Sequence, residues 1–308
     1  MTQPQTGDAI RLGLVSSRPL PRAYLSHAHG WLSSRTSNLQ LEEHPVSGYA
    51  AASFTGTATG SFDGWKDELV SPAHALLIDA ALTWGGLAEH GPQLIVTDVD
   101  STFITDEVIE LLARRAGKED AVAEVTERAM RGELDFAQSL SERVSALAGL
   151  PVSVIDDVAR DITMTPGAEA LVRLAHQHGA RFCLVSGGFT KILDPLAERV
   201  GIDRWIANEL EVDDGRLTGR TIGPVVDRQA KAVQVTSWAE EFGVSLDRTV
   251  SVGDGANDLD MLAISGLGVA FQAKPVVREQ AHATISFNRL DAVGALFGWS
   301  PEHEESDC

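Results

Sequence analysis

Two carboxylates lie two positions apart at the end of a predicted buried strand. Asp98 and Asp100 open the run Asp-Val-Asp-Ser-Thr at 98–102, directly after the apolar residues 93–97. Two acids this close repel each other unless a cation lies beside them, and Mg²⁺ accepts carboxylate and backbone carbonyl oxygens as ligands. Helix capping would explain one of the acids but not both. The motif therefore favours a metal site.

A second acidic pair follows another predicted strand. The run Gly-Asp-Gly-Ala-Asn-Asp at 253–258 places Asp254 and Asp258 four positions apart, on one side of a helix if a helix begins here. An ordinary strand-to-helix turn has a similar composition, so this run alone leaves both interpretations open. Because the carboxyl ends of parallel strands converge on one crevice, the two acidic strand ends together strengthen the metal-site hypothesis.

Two weaker signals concern phosphate. Ser186, Gly187 and Gly188 follow a strand predicted over residues 181–185, and a hydroxyl with bare backbone N–H groups at a helix start makes a phosphate cradle. Lys231 begins a predicted helix and would add positive charge, although a lone lysine is usually a solvated surface group. Phosphoryl transfer needs mainly this kind of positioning and charge neutralisation. The chain has neither a P-loop motif nor the Gly-x-Gly-x-x-Gly of dinucleotide-binding proteins.

The elements that must position these groups are predicted from hydrophobic patterns. Short apolar runs that alternate with amphipathic helices indicate an α/β fold, a doubly wound parallel sheet. The predicted strands are residues 93–97, 181–185, 249–253 and 267–271, and the clearest helices are 168–177 and 231–242. Asp-Gly within residues 209–220 is a hairpin signal.

More than 80 residues separate the first two of these strands, whereas a crossover connection needs about a dozen. Residues 103–165 show two helical apolar faces, one formed by Val108, Ile109, Leu112 and Ala116 and the other by Phe136, Leu140, Val144 and Leu147. We therefore predict a helical cap at 103–165, inserted in a core domain of residues 89–102 and 166–300, that covers the strand ends as a lid.

The remaining segments carry no chemical motif. Residues 1–88 are predicted to form a small accessory α+β domain in the order β-α-β-β-α. Its recognisable strands are 10–15 and 48–54, and its helices are 23–32 and 65–82. Residues 301–308 read as a polar, acidic tail.

The bulk composition excludes some partners. The 308 residues carry a formal net charge of −19, most of it in residues 91–308, and so acidic a surface disfavours nucleic acid and anionic membranes. Cys183 lies in an apolar run and Cys308 ends the sequence, so no disulfide framework is indicated. With no signal-peptide pattern and no apolar stretch of membrane-spanning length, we expect a cytoplasmic protein.

In order and residue type, the four motifs resemble those of the haloacid dehalogenase-like (HAD) superfamily. Within it, residues 92–290, about two-thirds of the chain, resemble the phosphoserine phosphatases. Besides the four motifs, the residues that carry this narrower resemblance are Glu107, 129–132 (Ala-Met-Arg-Gly), 135–140 (Asp-Phe-Ala-Gln-Ser-Leu), Arg143 and Phe189.

The resemblance implies hydrolysis of O-phosphoserine to serine and phosphate, the last step of serine biosynthesis, through an aspartyl-phosphate. Asp98 would be the nucleophile and Asp100 the general acid and then the general base. Mg²⁺ would be held by the side chains of Asp98 and Asp254 and by the backbone carbonyl of Asp100. Asp258 would support these metal-binding groups without binding the metal itself. The phosphate would be held by Ser186, Gly187, Gly188, Lys231 and Asn257.

The resemblance also places substrate specificity in the cap. Glu107 and Arg143 would bind the ammonium and carboxylate of phosphoserine, with Met130 and Phe136 as apolar walls. From the residues alone, a surface position for Glu107 and an internal salt bridge for Arg143 stay open. So do hydrolysis of another small phosphomonoester and phosphoryl transfer to another alcohol. A non-catalytic scaffold is disfavoured because the acidic motifs are complete.

The element order of residues 1–88 weakly resembles the amino-acid-sensing ACT modules of some related phosphatases. We therefore expect an accessory domain that either forms a homodimer or binds an amino-acid effector.

Overall fold

A computed structural model describes residues 3–44 and 46–300. These residues form two β-sheets covered by helices. The predicted polar tail, residues 301–308, lies outside the described residues. The predicted fold class is confirmed, because a mostly parallel seven-stranded sheet with helices follows a separate antiparallel sheet of four strands.

The N-terminal unit is an antiparallel sheet with helices packed on it. Its strands lie in the order β2-β3-β1-β4. In chain order its elements are β1 (Ala9–Ser16), α1 (Arg22–Ser33), β2 (Thr36–His44), β3 (Ala50–Ala58), α2 (Ser71–Ala75), β4 (Asp79–Trp84) and α3 (Gly86–His90).

The helix predicted over residues 65–82 is wrong in its second half. Helical turns cover Lys66–Val70 and α2, but the chain then becomes strand β4, which pairs antiparallel with β1. Five of the six residues of β4 are buried. A strand buried on both faces lacks the alternation of apolar and polar residues, so periodicity cannot separate it from a buried helix. The observed order is therefore β-α-β-β-α-β rather than β-α-β-β-α.

The larger unit is built on the seven-stranded sheet, with the order β11-β10-β9-β5-β6-β7-β8. Its elements are β5 (Leu94–Thr97), α4 (Val108–Ala116), α5 (Glu119–Met130), α6 (Phe136–Ser145), α7 (Ser153–Asp161), α8 (Ala168–Gln177), β6 (Arg181–Phe189), α9 (Thr190–Val200), β7 (Arg204–Asp213), β8 (Arg216–Ile222), α10 (Arg228–Phe242), β9 (Thr249–Gly253), α11 (Leu259–Ile264), β10 (Leu267–Phe271), α12 (Pro275–Gln280), β11 (Ala283–Ile285) and α13 (Ala292–Ala295).

Strand β5 lies at the centre of this sheet and is buried on both faces. Ile95 packs in a core with residues of α8 and α13, whereas Leu94 and Val96 pack in a second core with residues of α10 and α11. All four residues of β5 are buried. This two-sided burial explains why the strand reads as a continuous apolar run.

The predicted hairpin is confirmed in β7 and β8, which pair antiparallel at the edge of the sheet. Asp214 and Gly215 between them have φ of 45° and 73°. Positive φ at both central residues is the geometry that Asp-Gly favours in a two-residue hairpin turn.

Helices α4 to α7 all lie between β5 and α8, as an insertion after the first parallel strand. The two chain segments that enter and leave this insertion run side by side. Thr105 N donates to Thr163 O at 2.9 Å, Thr165 N donates to Phe103 O at 3.0 Å, and Ile104 forms a bridge with Met164. The chain therefore enters and leaves the four helices through one short two-stranded ribbon. The segment 149–152 is also hydrogen-bonded to the β7–β8 hairpin, where Gly149 N donates to Leu217 O at 2.8 Å.

Within residues 3–44 and 46–300, no helix combines the length and apolar character that crossing a bilayer requires.

Candidate active site

Three neighbouring strands deliver the predicted chemical groups to one edge of the sheet. Thr97, the last residue of β5, is paired with Val252 of β9 on one side and with Leu184 of β6 on the other. Asp98 follows at once, and its backbone N–H donates to Val252 O at 2.9 Å. The acidic run after β9 and the serine-glycine run in β6 therefore flank Asp98.

Lys231 is the electrostatic centre of the site. Its Nζ lies 2.6 Å from Asp98 Oδ1 and 2.6 Å from Asp258 Oδ1, and the lysine is fully buried. Burial lowers the pKa of Lys231, but the carboxylates of Asp258 and Asp98 outweigh burial and raise that pKa above its usual value. The lysine therefore stays charged and holds the two carboxylates in place.

The carboxylates provide a donor set suited to a hard cation. Oxygens of Asp98, Asp254 and Asp258 lie within 4.8 Å of one another, and oxygen donors without nitrogen or sulfur suit Mg²⁺. Asp258 already accepts hydrogen bonds on both oxygens, from Lys231 and from Gly255 N at 3.0 Å. This fits a supporting position for Asp258 and leaves Asp98 and Asp254 as the side chains free to bind a metal ion.

Burial and neighbouring acids raise the pKa values of Asp98 and Asp254 above their ordinary range. Burial raises the pKa of Asp98, and the negative charge of Asp258 raises it further, against the opposing charge of Lys231. The same two causes, burial and Asp258, raise the pKa of Asp254 to about 6. A divalent cation among these groups would favour their charged forms.

Asp100 is turned toward the start of the first inserted helix. The chain reverses at Ser101, whose φ is 57°, and Asp100 Oδ1 accepts from Val108 N at 3.4 Å. Burial and the negative charge of Glu107 raise the pKa of Asp100 to about 8. A carboxyl with this pKa keeps its proton at neutral pH and can donate it.

Glu107 lies at the start of the first inserted helix, and a serine holds it. Ser101 Oγ donates to Glu107 Oε1 at 2.8 Å. Burial raises the pKa of Glu107, and this hydrogen bond lowers it in part. Thr102, the next residue, donates from Oγ1 to Asp254 Oδ1 at 3.4 Å. The hydroxyl groups of Ser101 and Thr102 therefore each hold one acid of the site, Glu107 and Asp254 respectively.

The serine-glycine turn differs from the prediction in one respect. Strand β6 continues through Phe189, and the helix begins at Thr190 rather than at the glycines. The side-chain oxygen of Ser186 accepts from Gly188 N at 2.8 Å, so a hydrogen bond within the turn stabilises it. A Cβ on Gly188 would lie 3.2 Å from Asp100 Oδ2 and 3.0 Å from Ser186 Oγ. Both distances are shorter than an ordinary van der Waals contact, so a larger residue at position 188 would push against Asp100 and Ser186.

Most of the predicted residues line one cavity of about 320 Å³ between the sheet edge and the inserted helices. The predicted residues that line it are Asp98, Asp100, Glu107, Phe136, Arg143, Gly187, Gly188, Asp254 and Asn257. Ser186, Lys231 and Asp258 are buried directly beside them. The side chain of Met130 lies outside the part of the chain that the structure describes.

Arg143 faces the cavity from helix α6 without a carboxylate partner within salt-bridge distance among the described residues. The alternative of a salt bridge inside the cap is therefore not observed. Burial lowers the pKa of Arg143, and the negative charges of Glu107 and Asp100 act against that. Phe136 lies on the same helix, and its ring edge is 3.1 Å from the point that a Cβ on Gly187 would occupy.

Sequence reasoning missed several residues of the same cavity. Ile109 and Leu140 add apolar wall, and Lys274 and Val276 come from the segment after β10. The rule that located Asp98, that strand ends meet at one edge, would also have located Lys274. Ile109 carried only a helical core signal, and Leu140 carried that signal and a place in the run 135–140; neither distinguishes a core position from a cavity wall.

A larger cavity, of about 460 Å³, lies at the opposite edge of the sheet, between the N-terminal unit and the core. Trp84, Asp247 and His282 are among its lining residues. None of the predicted site residues whose side chains the structure describes lines it, so the chemistry argues for the smaller cavity as the active site.

Comparison with known proteins gives a consistent assignment. A model of the family "haloacid dehalogenase-like hydrolase" matches residues 95–263. The phosphoserine phosphatase of Streptomyces coelicolor is 49% identical over 267 residues, which are 87% of this chain and 64% of that protein. Phosphoserine phosphatase SerB2 of Mycobacterium tuberculosis is 52% identical over 221 residues, 72% of this chain and 54% of that protein. The alignments thus span less than two thirds of either relative.

A solved structure gives the same picture for the core. A phospho-aspartyl intermediate analogue of phosphoserine phosphatase superposes with a TM-score of 0.62 at 40% identity, covering 66% of this chain and 97% of that one. The similarity thus covers about two thirds of this chain and nearly all of that one.

Proposed function

The chain belongs to the haloacid dehalogenase-like hydrolase family, and on that basis we propose that it hydrolyses O-phosphoserine to serine and phosphate. The observation that carries the proposal is the shared cavity. Asp98, which is hydrogen-bonded to the buried Lys231, lines this cavity, and Glu107 and the guanidinium of Arg143 face it from the inserted helices. The names of the relatives support this choice of substrate.

In the first step, an oxygen of Asp98 attacks the phosphorus of the substrate. The bond between phosphorus and the serine oxygen breaks, and Asp100 donates its proton to that oxygen. The products of this step are serine and a phosphorylated Asp98. Lys231 holds the attacking carboxylate in place throughout, because its Nζ is 2.6 Å from Asp98 Oδ1.

In the second step, Asp100 takes a proton from a water molecule as the water oxygen attacks phosphorus. The bond to Asp98 breaks, phosphate leaves, and both aspartates return to their starting forms. A bound Mg²⁺, held by the side chains of Asp98 and Asp254 and by the backbone carbonyl of Asp100, would neutralise charge on the phosphoryl oxygens. Ser186, the turn glycines and Asn257 would hold the same oxygens with hydrogen bonds.

Recognition of the amino-acid part would fall to the inserted helices. Glu107 offers a carboxylate to the ammonium group, and Arg143 offers a guanidinium to the carboxylate. A cavity of about 320 Å³ is at the small end of the range typical of small-molecule sites. We accordingly treat residues 103–165 as a cap domain, 89–102 with 166–300 as the catalytic core, and 1–88 as an accessory domain.

A panel of phosphomonoesters tests the proposal. Purified protein with Mg²⁺ is expected to release phosphate from phosphoserine far faster than from p-nitrophenyl phosphate or from phosphates without an α-amino acid group. Metal removal with EDTA should abolish release, and added Mg²⁺ should restore it. Equal rates on phosphoserine and the aryl phosphate would contradict the substrate assignment while leaving the phosphatase chemistry intact.

A further inference from the structure

A buried asparagine outside the four motifs connects the two phosphate-binding parts of the site. Asn208 lies in β7 and is 1% exposed. Its Nδ2 donates to Gly187 O at 2.8 Å, and its Oδ1 accepts from Val226 N at 2.8 Å. Both polar ends of this side chain are therefore engaged, each with the backbone of a different loop.

The first partner is the serine-glycine turn. Gly187 and Gly188 line the cavity above Asp98, and the register of β6 against β7 is interrupted between Val185 and Phe189. Backbone in such an interruption lacks the regular ladder that would set its orientation. The bond from Asn208 to the Gly187 carbonyl fixes the peptide plane of this turn.

The second partner leads to the lysine. Val226 directly precedes Asp227, whose side chain caps helix α10 by accepting from Ala230 N at 2.8 Å. Lys231 stands in the first turn of that helix, and its backbone N–H donates to Asp227 O at 3.0 Å. The bond from Val226 to Asn208 therefore fixes the segment that sets where helix α10 and Lys231 begin.

We propose that Asn208 is a positioning residue for phosphate binding, which holds the serine-glycine turn and the lysine-bearing helix at a set separation. Only a side chain with one donor and one acceptor on the same carbon can satisfy a carbonyl and an N–H in this way. Asn208 touches neither Asp98 nor Lys231 and acts through the backbone of both loops. This inference rests on the proposed function, since it concerns the phosphate of that reaction.

Two substitutions separate the two bonds. Asn208→Asp keeps an acceptor for Val226 N but puts a second oxygen against the Gly187 carbonyl, so the turn should move away. Asn208→Ala removes both bonds. Thr249→Val is the matched control, because it deletes one buried hydrogen bond, from Thr249 Oγ1 to Leu246 O, at the opposite end of β9.

The measurement is competitive inhibition by orthophosphate with p-nitrophenyl phosphate as reporter, so it does not depend on the natural alcohol. For N208D we expect the inhibition constant and KM to rise about tenfold or more, with a smaller loss of kcat, since a lost buried hydrogen bond typically has this effect. N208A should lower kcat as well, because the segment before Lys231 loses its anchor. T249V should keep the inhibition constant and KM at the wild-type values, although its thermal midpoint is lower.

Orthophosphate inhibition of N208D at the wild-type level would overturn the inference, and so would an equal rise in T249V. Thermal unfolding of each variant shows that it is folded at the assay temperature. If N208D does not fold, Asn208→Ser, which is too short to reach both partners, takes its place with the same expectation. Failure of the proposed function would instead appear in the wild type, as absent phosphoserine hydrolysis.

Discussion

At the residue scale, one buried lysine decides the charge state of the site. Lys231 is enclosed together with Asp98 and Asp258, and a buried charge is tolerated only when its partners are close and well oriented. With Asp254 nearby, three carboxylates face one ammonium group, which leaves negative charge for a divalent cation to neutralise. The lysine thus orients Asp98, the nucleophile of the proposed reaction.

The first prediction concerns the nucleophile. Asp98→Asn keeps the shape of the side chain but removes the attacking charge, so turnover of phosphoserine should fall by at least about a thousandfold. Phosphate release in the presence of Mg²⁺ measures it. Asp260→Asn, at a partly exposed aspartate paired with Arg228, is the control and should retain wild-type turnover. Substantial activity in the Asp98 variant would exclude the aspartyl-phosphate route.

The second prediction concerns recognition of the carboxylate. Arg143→Ala should raise KM for phosphoserine by about ten- to a hundredfold, the usual effect of losing a hydrogen bond to a charged group, while KM for p-nitrophenyl phosphate changes little. The comparison of the two substrates is the informative measurement. Arg114→Ala, at an exposed arginine on α4 paired with Glu119, should change neither. A parallel loss on both substrates would mean that Arg143 supports the cap rather than binding the amino acid.

At the element scale, helix α6 positions two of the side chains that are proposed to bind the substrate. Asp135 caps it by accepting from Gln138 N at 2.8 Å, and Gln138 Oε1 accepts in return from Asp135 N at 3.0 Å. Phe136 and Arg143 lie on this helix, seven residues apart and thus about two turns. Helix α6 also packs against β8, so the capping box and packing against the core can both fix where the helix begins.

The third prediction tests that capping box. Asp135→Ala should destabilise the start of α6 by about 0.5–2 kcal/mol and raise KM for phosphoserine without lowering kcat in proportion. Steady-state kinetics and thermal unfolding together measure the two effects. Ser145→Ala, at the exposed other end of α6, serves as control and should leave KM unchanged. An unaltered KM in the Asp135 variant would show that packing against the core, and not the cap residue, sets the helix.

At the scale of the whole molecule, the N-terminal unit is packed tightly against the core. A Cβ on Gly13 of β1 would lie 2.2 Å from Leu296 O, so the sheet lies directly on backbone that follows α13. Asp79 of β4 is buried and accepts from Thr284 Oγ1 at 2.9 Å, from Ser286 N at 2.7 Å and from Ser286 Oγ at 2.8 Å. One carboxylate therefore joins the two sheets.

A second contact between the units reaches the cap ribbon. Arg289 donates to Ser47 O at 2.7 Å and pairs with the buried Asp291 at 2.7 Å. Leu290, between them, donates from its backbone N–H to Pro166 O at 2.8 Å, next to the segment that returns from the cap. The N-terminal unit, the core and the cap connection thus meet in one place.

The fourth prediction concerns Asp79 and pH. Burial raises the pKa of Asp79, against its hydrogen bonds and the nearby His74. A raised folded-state pKa means that the folded protein binds the proton more tightly than the unfolded chain, so this contribution to stability is complete at low pH and is lost as pH rises through the folded-state pKa. Asp79→Asn places an NH₂ group against donors and should lower stability by about 1–3 kcal/mol.

The difference in unfolding free energy between wild type and the Asp79→Asn variant should therefore be largest in acid and should shrink as pH rises. Denaturant unfolding at several pH values measures it. Asp67→Asn, at an exposed aspartate of the same unit, is the control and should give a small difference without a trend. A gap that widens with pH would contradict the assigned direction of the pKa shift.

Much of the core follows from local sequence. Strand β9, strand β10 and helix α8 have the predicted bounds, and Asp98 and Asp254 follow the strands that were expected to carry them. The reason is that a buried parallel strand needs an apolar run and a sharp end, and both signals are written in consecutive residues. The N-terminal unit was predicted less well because its last strand is buried on both faces and has no alternation to mark it.

Contacts between distant parts of the chain could not be read in this way. Lys231 and Asp98 are 133 positions apart, and Asn208 and Gly187 are 21 apart. Which of them meet depends on strand order and on the register of β6 against β7, and neither leaves a mark in the local residue pattern. The types and spacing of the acids were enough to predict a metal site, and the serine-glycine run and Lys231 added the expectation of phosphate chemistry. The tertiary structure decided the rest, because the sheet brings distant residues together. It pairs Lys231 with Asp98, turns Arg143 toward the cavity and places Asn208 against Gly187.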